Sequence, residues 1–243
     1  MSSHHRTDAT ALLDDRGYSG NLVRGQNPAL LMEKAVRDRI TESYYWKEQC
    51  FGLNEASLCD RAVELTHVGG VAGLAQKPTP FLCLAFKMLQ LGPDRDVVFA
   101  YLENEDFKYL RALAAFYIRL TFSPVEIYKT LEPYLSDFRK VKRRTRSGFT
   151  ISYIDQFIDD LLLKDRICST SLWKLASRQH FEDLDQLDER VSPLGEEIDE
   201  IDADDVAQAN GANETPNDLS DEDGAIVDRE VGGKADGDAS DEG

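Results

Sequence analysis

"TPFLCLAFKMLQL", residues 79–91, decides how this chain folds. The Thr79 side chain can accept a bond from a free N–H of a first helical turn, and Pro80 lacks an N–H that would go unsatisfied there. Beyond them only Lys87 and Gln90 interrupt a surface that is apolar nearly all round the helical wheel. A helix of that kind is covered on every side. The spacing therefore predicts a central, buried helix with others packed around it.

Two further dipeptides repeat the signal, Asn27-Pro28 and Ser123-Pro124. After Pro28, the residues Leu30, Leu31, Ala35, Val36 and Ile40 make one apolar face. "TESYYWKEQCF" reads as a short second helix, and "NEASLCDRAVEL" as another capped by Asn54. "DRDVVFAYLEN" starts at Asp94 or Asp96. "DFKYLRALAAFYIRLTF" is the longest periodic run, with Leu110, Leu113, Ala114, Tyr117, Ile118 and Phe122 on one face. "SPVEIYKTLEPYLSDF" is expected to bend or break near Pro133. "TISYIDQFIDDLLL" and "STSLWKLASRQHF" are expected to close the body as two helices. The glycines and proline of "VGGVAGLAQKP" predict a loop. Clear alternating strand patterns are absent, so the expected class is all-α: a compact multi-helix domain over residues 27–191.

The formal charge of -17 is unevenly placed. From Glu182 onward there are 23 acidic and 3 basic residues, a sum of -20; residues 1–181 hold the other 22 acidic and 25 basic residues, a sum of +3. The segment 192–243 has no aromatics and few large apolar residues, so it cannot bury enough surface to offset its ordering entropy and is expected to be disordered. Residues 1–26, small and polar, are expected to form a flexible arm. "MSSHHRTDATALLDD" lacks the apolar stretch of a secretory signal, and no uncharged apolar run reaches bilayer length, which predicts a soluble protein in a reducing compartment.

Enzyme chemistry finds little support in the residues. "GGVAGLAQKPT" has Gln76 and Pro78 where a phosphate-binding loop needs glycine before its lysine and Ser/Thr after it. Asp159 and Asp160 occupy adjacent helix positions and are expected on a solvated face. The four cysteines, Cys50, Cys59, Cys83 and Cys168, form no CxxC pair and are expected to be reduced core residues. No catalytic, cofactor-binding or metal-binding residue is assigned, and no cofactor is expected.

What remains favours binding. Tyr44, Tyr45 and Trp46 span too wide an arc for one core, so at least one is expected at the surface, either as an interface anchor or as an amphipathic residue at the core's edge. Glu103, Glu105 and Asp106 beside Phe107 and Tyr109 are either an acidic patch for a basic partner or charges that complement a helix start. Tyr44, Trp46, Glu103, Glu105, Asp106 and Tyr109 are the candidate protein-binding residues. "FRKVKRRTRSGF", residues 138–149, stands out in so acidic a chain. Its cations Arg139, Lys140, Lys142, Arg143, Arg144 and Arg146 fit three readings: an RNA contact, a nuclear address, or a solvated basic loop. Only Phe138 and Phe149 flank the run, so aromatics to stack bases look scarce.

Several blocks carry a family likeness. "NPALLMEKAVRDRITESYYWKEQCFGLNE", "HVGGVAGLAQKPTPFLCLAFKMLQL", "NEDFKYLRALAAFYIRLT", "YKTLEPYLSDFRKVKRR" and "YIDQFIDDLLLKDRIC" together resemble the pre-mRNA-splicing factor 38 family over about residues 27–195. The resemblance implies an all-helical domain without enzymatic activity, located in the nucleus. It implies a scaffold component of the spliceosome, tied to the tri-snRNP and the precatalytic complex and needed for catalytic activation. Partners implied are a zinc-finger tri-snRNP factor and the homologue of microfibrillar-associated protein 1, with spliceosomal RNA as a further possibility. Animal and plant relatives often carry an Arg/Ser-rich tail; the acidic tail here resembles a fungal-type member.

Overall fold

The three starts written into the sequence all open helical segments. Asn27 Oδ1 accepts from the Ala29 N–H at 3.0 Å and begins a 3-10 turn, Pro28–Leu31. Thr79 Oγ1 accepts from the Leu82 N–H at 3.3 Å and donates to the Gly69 carbonyl at 2.6 Å. The Ser123 N–H and hydroxyl both donate to the Glu126 carboxylate, at 3.2 and 2.7 Å. The structure, a computed structural model, describes Tyr18, residues 20–191 and Gly195. The chain divides into residues 1–190 and 191–243, and the elements below belong to the first part. Most of the expected arm (residues 1–17 and 19) and of the expected tail (192–194 and 196–243) lies outside the described residues.

After the 3-10 turn come α1 (Lys34–Glu42), α2 (Tyr44–Gln49) and α3 (Glu55–Val63), the last closed by a reciprocal Asn54–Ser57 cap. Three two-residue strands follow: β1 (Val68–Gly69), β2 (Val71–Ala72) and β3 (Lys77–Pro78). Then come α4 (Pro80–Leu91), α5 (Arg95–Glu103), α6 (Lys108–Thr121) and α7 (Pro124–Leu131). Pro133 turns the end of α7 into a 3-10 segment, Glu132–Ser136. The chain continues through β4 (Lys140–Arg144), β5 (Phe149–Tyr153), α8 (Ile154–Leu163), β6 (Arg166–Ile167), β7 (Thr170–Ser171) and α9 (Arg178–Glu182).

α6 is the axis of the packing. Every residue from Leu110 to Leu120 is buried, and the helix packs against α3, α4, α5, α7 and α8. α4 is nearly as enclosed, as its composition requires: Phe81, Leu82, Cys83, Leu84, Ala85, Phe86, Met88 and Leu89 are all out of solvent. Two arginines inside α6 survive burial because backbone carbonyls meet them. Arg111 donates to the Leu102 and Glu103 carbonyls at the end of α5, and Arg119 to the Leu161 and Trp173 carbonyls. A buried cation needs such partners. Arg24 ties the chain ahead of α1 to this axis, donating to the Leu120 and Phe122 carbonyls and stacking 4.9 Å over Trp173.

The expected all-α class is corrected by the structure: among the described residues, three small sheets accompany the helices, and the class is α+β. One sheet has the order β1-β4-β5, with β1 parallel and β5 antiparallel to the central β4; β2 pairs with β3, and β6 with β7. The glycine-rich segment expected as a loop thus supplies three strands. The basic stretch, for which a solvated loop is one of three readings, supplies the middle strand β4 over Lys140–Arg144. "TISYIDQFIDDLLL" is helical only from Ile154, and "STSLWKLASRQHF" gives β7, an irregular run and the short α9.

The physical reason lies in the pattern. In β4 only Val141 and Arg143 turn inward, and the second is charged. In β5 the apolar residues Phe149, Ile151 and Tyr153 are the exposed ones, while Ser152 is buried and donates to Gln156 Oε1 at 2.8 Å. In β5 the apolar side chains therefore lie outward, opposite to the apolar-in rule, and in β4 one apolar residue, Val141, stands alone among cations. Gly70 holds the β1–β2 corner against the β6–β7 turn: a Cβ there would collide with the backbone carbonyl of Cys168.

Candidate functional site

The six cations of the basic stretch have unequal fates. Arg139 is tied to Asp137 through Nε at 2.8 Å and Nη2 at 2.6 Å, and its Nη1 donates to the Glu105 carbonyl. Asp137 also receives Arg111 Nη1 at 2.6 Å. Burial acts to raise the Asp137 pKa, but the bonds from Arg139 and Arg111 outweigh it and hold the carboxyl down at about 2. Arg143 donates to Asp160 Oδ2 at 2.5 Å, and Lys164 reaches the other oxygen of the same carboxylate at 2.7 Å. Burial again works upward on Asp160, and Lys164 and Arg143 pull its pKa below the ordinary value. Asp160 is therefore no part of a solvated face; it is a buried clamp between β4 and α8.

Lys140, Lys142 and Arg144 point the other way. Antiparallel partners share a face of the sheet. The register sets Lys140 opposite Tyr153, Lys142 opposite Ile151 and Arg144 opposite Phe149. Lys142 Nζ lies 4.6 Å and the Arg144 guanidinium 4.4 Å from the Phe149 ring centre. His67 meets the same ring edge-on at 5.3 Å. Burial, and after it the Arg144 and Lys142 charges, keep the His67 imidazole below its ordinary pKa. A groove of about 550 Å³ opens beside the ring, bounded by His67, Gly73, Leu74, Lys77, Arg144 and Phe149 among others. Arg146 is exposed, and its carbonyl accepts from the Gly73 N–H at 3.0 Å. Sequence reasoning missed Ile151, Tyr153 and His67 because only the strand register brings them to the cations.

The candidate protein-binding residues fall into two places. Tyr44 is 76% exposed at the start of α2, where Arg39, Glu42, Tyr45, Gln76, Lys77 and Pro78 join it around a groove of about 500 Å³. Trp46 is half-buried, with its ring 5.1 Å from that of Phe86 and Lys87 Nζ 5.7 Å above it. One of the three consecutive aromatics is thus open to solvent, and the other two pack on the core's edge. Glu103, the last residue of α5, and Glu105 and Asp106 on the α5–α6 connection are exposed. Tyr109 borders them, and its hydroxyl accepts from the Lys142 N–H at 3.1 Å. The acidic connection therefore lies against β4, while Tyr44 and Trp46 lie against α1 and α4.

The cysteines show no reactive setting. Burial pushes the thiols of Cys50, Cys83 and Cys168 up to about 12, which leaves no nucleophilic thiolate at neutral pH. Among the described residues no group of three His, Cys, Asp or Glu side chains is placed to hold a metal ion, and no helix is long and apolar enough to cross a membrane.

Residues 21–185 match the model of the PRP38 family. The chain belongs to the PRP38 family. Its similarity to pre-mRNA-splicing factor 38A of Danio rerio is 50% identity over 182 residues, and to that of Homo sapiens 48% over 182 residues. Each of these matches takes in 74% of this chain and 58% of the relative, so the chain aligns with somewhat over half the length of its curated PRP38 relatives. One chain in the crystal structure of the Snu23-Prp38-MFAP1(217-258) complex of Chaetomium thermophilum is 58% identical and superposes with a TM-score of 0.73, covering 78% of this chain and 100% of that one. The small sheets described above are thus set in a PRP38 domain.

Proposed function

We propose that this protein is a non-catalytic scaffold of the spliceosome, acting in the tri-snRNP and precatalytic complex to support catalytic activation of pre-mRNA splicing in the nucleus. The observation that carries this reading is the likeness, over the whole length of the matched chain, to a chain solved together with Snu23 and a segment of MFAP1. The proposed partners are accordingly a zinc-finger tri-snRNP factor of the Snu23 kind and the microfibrillar-associated protein 1 homologue. The non-catalytic part rests on the site chemistry: the buried thiols are silent, and Asp137 and Asp160 are committed to arginines.

The proposed contact surface comprises Tyr44 with Trp46 and, separately, Glu103, Glu105, Asp106 and Tyr109. Tyr44 is exposed and rims a groove, and tyrosine and tryptophan offer a large contact area at little entropic cost. Titration calorimetry of the full chain with the Snu23 and MFAP1 homologues tests both layers. Tyr44→Ala or Glu105→Lys should weaken one partner about tenfold, the scale of an interface anchor, while the melting temperature holds. Unchanged dissociation constants would remove the surface assignment. Failure of the unaltered chain to bind either partner would remove the scaffold reading itself.

A further inference from the structure

The β4–β5 hairpin has two unlike faces. The inner one carries the buried Val141 and Ser152 and the partly buried Arg143, held to α8 by the Arg143–Asp160 pair, with Thr150 at its exposed end. The outer one alternates Lys140, Lys142 and Arg144 with Tyr153, Ile151 and Phe149. It is solvated: Ile151 is 73%, Phe149 47% and Tyr153 38% exposed. Among the described residues β5 pairs with β4 alone, so this face ends in an open strand edge.

We infer that the outer face of the β4–β5 hairpin is a binding platform for single-stranded RNA, with Lys140, Lys142 and Arg144 on phosphates and Phe149 and Tyr153 under bases. Alternate residues on a strand are about 6.8 Å apart, so the three cations form an evenly spaced row along one line of the sheet. Aromatic rings beside such a row accept any base by its π-face, which is how proteins hold single strands without reading sequence. An acidic peptide would satisfy the cations equally well, but it would bring no planar group to the two rings. The charge along the face has a direction. Asp155 and Asp159 outnumber the one cation, Arg190, in the groove they share with Tyr153, whereas the groove beside Phe149 is lined by His67, Lys77 and Arg144 with no carboxylate. The strand therefore continues past Phe149 into that groove. His67 sits edge-on to the Phe149 ring in that groove, its pKa lowered first by burial and then by the Arg144 and Lys142 charges. Arg139 and Arg143, paired with Asp137 and Asp160, take no part.

The reading is independent of the scaffold function, whose partners are proteins. Its test uses the full chain and an unstructured RNA of about 12 nucleotides, followed by fluorescence anisotropy across a salt series. Three phosphate contacts predict a log–log salt slope of about 2. Lys142→Gln should reduce that slope by roughly 0.7. Phe149→Ser should weaken binding about tenfold with the slope unchanged, because stacking releases no counterions. Thermal melts confirm that both variants fold. No saturable binding at low salt, or binding that neither variant alters, overturns the inference. So does tighter binding of a polyglutamate of matched length through the same residues, which would assign the face to an acidic protein.

Discussion

Asp137→Asn should destabilise this domain by about 3 kcal/mol at neutral pH, a figure reached by two routes. A carboxyl that titrates at about 2 in the folded chain and near 4 in the unfolded one contributes between roughly 2 and 3 kcal/mol. Removing one member of a buried ion pair costs about 3–5 kcal/mol. The Asp137 and Arg111 side chains are 10% and 9% exposed, so the pair is buried in that sense. Arg111 keeps its two carbonyl acceptors, from Leu102 and Glu103, which places the loss at the lower end. The sign follows from the depressed pKa: the stabilisation is present above about pH 4 and is lost as pH falls toward 2. Urea unfolding of both proteins at pH 7 and at pH 3 checks it. The gap should shrink by about half at pH 3. A loss under about 1 kcal/mol at pH 7, or a gap that stays constant between the two pH values, would show that the carboxylate charge does not hold Arg111 and Arg139 in place.

Five other substitutions separate packing from function. Gly70→Ala would drive a Cβ into the Cys168 carbonyl and should cost more than about 3 kcal/mol, whereas Gly148→Ala, with nothing near its Cβ, should be close to neutral by urea midpoint. Thr79→Val keeps shape but orphans the Leu82 N–H and the Gly69 carbonyl, a loss of about 2 kcal/mol in the same assay. Trp46→Ala removes the half-buried ring from Phe86 and should cost about 2 kcal/mol. Tyr44→Ala should cost less than about 0.5 kcal/mol in chemical denaturation, which is what makes Tyr44 the cleaner probe of a partner surface.

Much of the helical frame was legible because its signals are local. Thr79-Pro80 and Ser123-Pro124 carry their own capping chemistry, and the run from Leu110 to Phe122 announces its period within a few turns. The strands were not legible, for two reasons. β1 and β2 are two residues long, below any periodic window. β5 keeps its apolar side chains outward, so its pattern merges with the helix that follows at Ile154. Of the candidate protein-binding residues, the solvent-facing member of Tyr44-Tyr45-Trp46 could be expected from arc width but not chosen. The choice fell to Phe86, which captures Trp46 from another helix.

The sequence by itself determined the central helices, their caps, the uneven charge and, through its quoted blocks, the family. Those properties rest on neighbours within a few residues or on the blocks themselves. Only the tertiary structure decided what the basic stretch is. Six cations in a row look alike in one dimension. Within β4, strand alternation sets Lys140, Lys142 and Arg144 on one face and Arg143 on the other, where Asp160 claims it across 17 residues, while Asp137 holds Arg139 just ahead of the strand. The cations left outward then acquire Phe149, Ile151 and Tyr153 as neighbours through the hairpin register alone. Side-chain direction and long-range charge pairing are set by the folded backbone, so no reading of spacing could have assigned them.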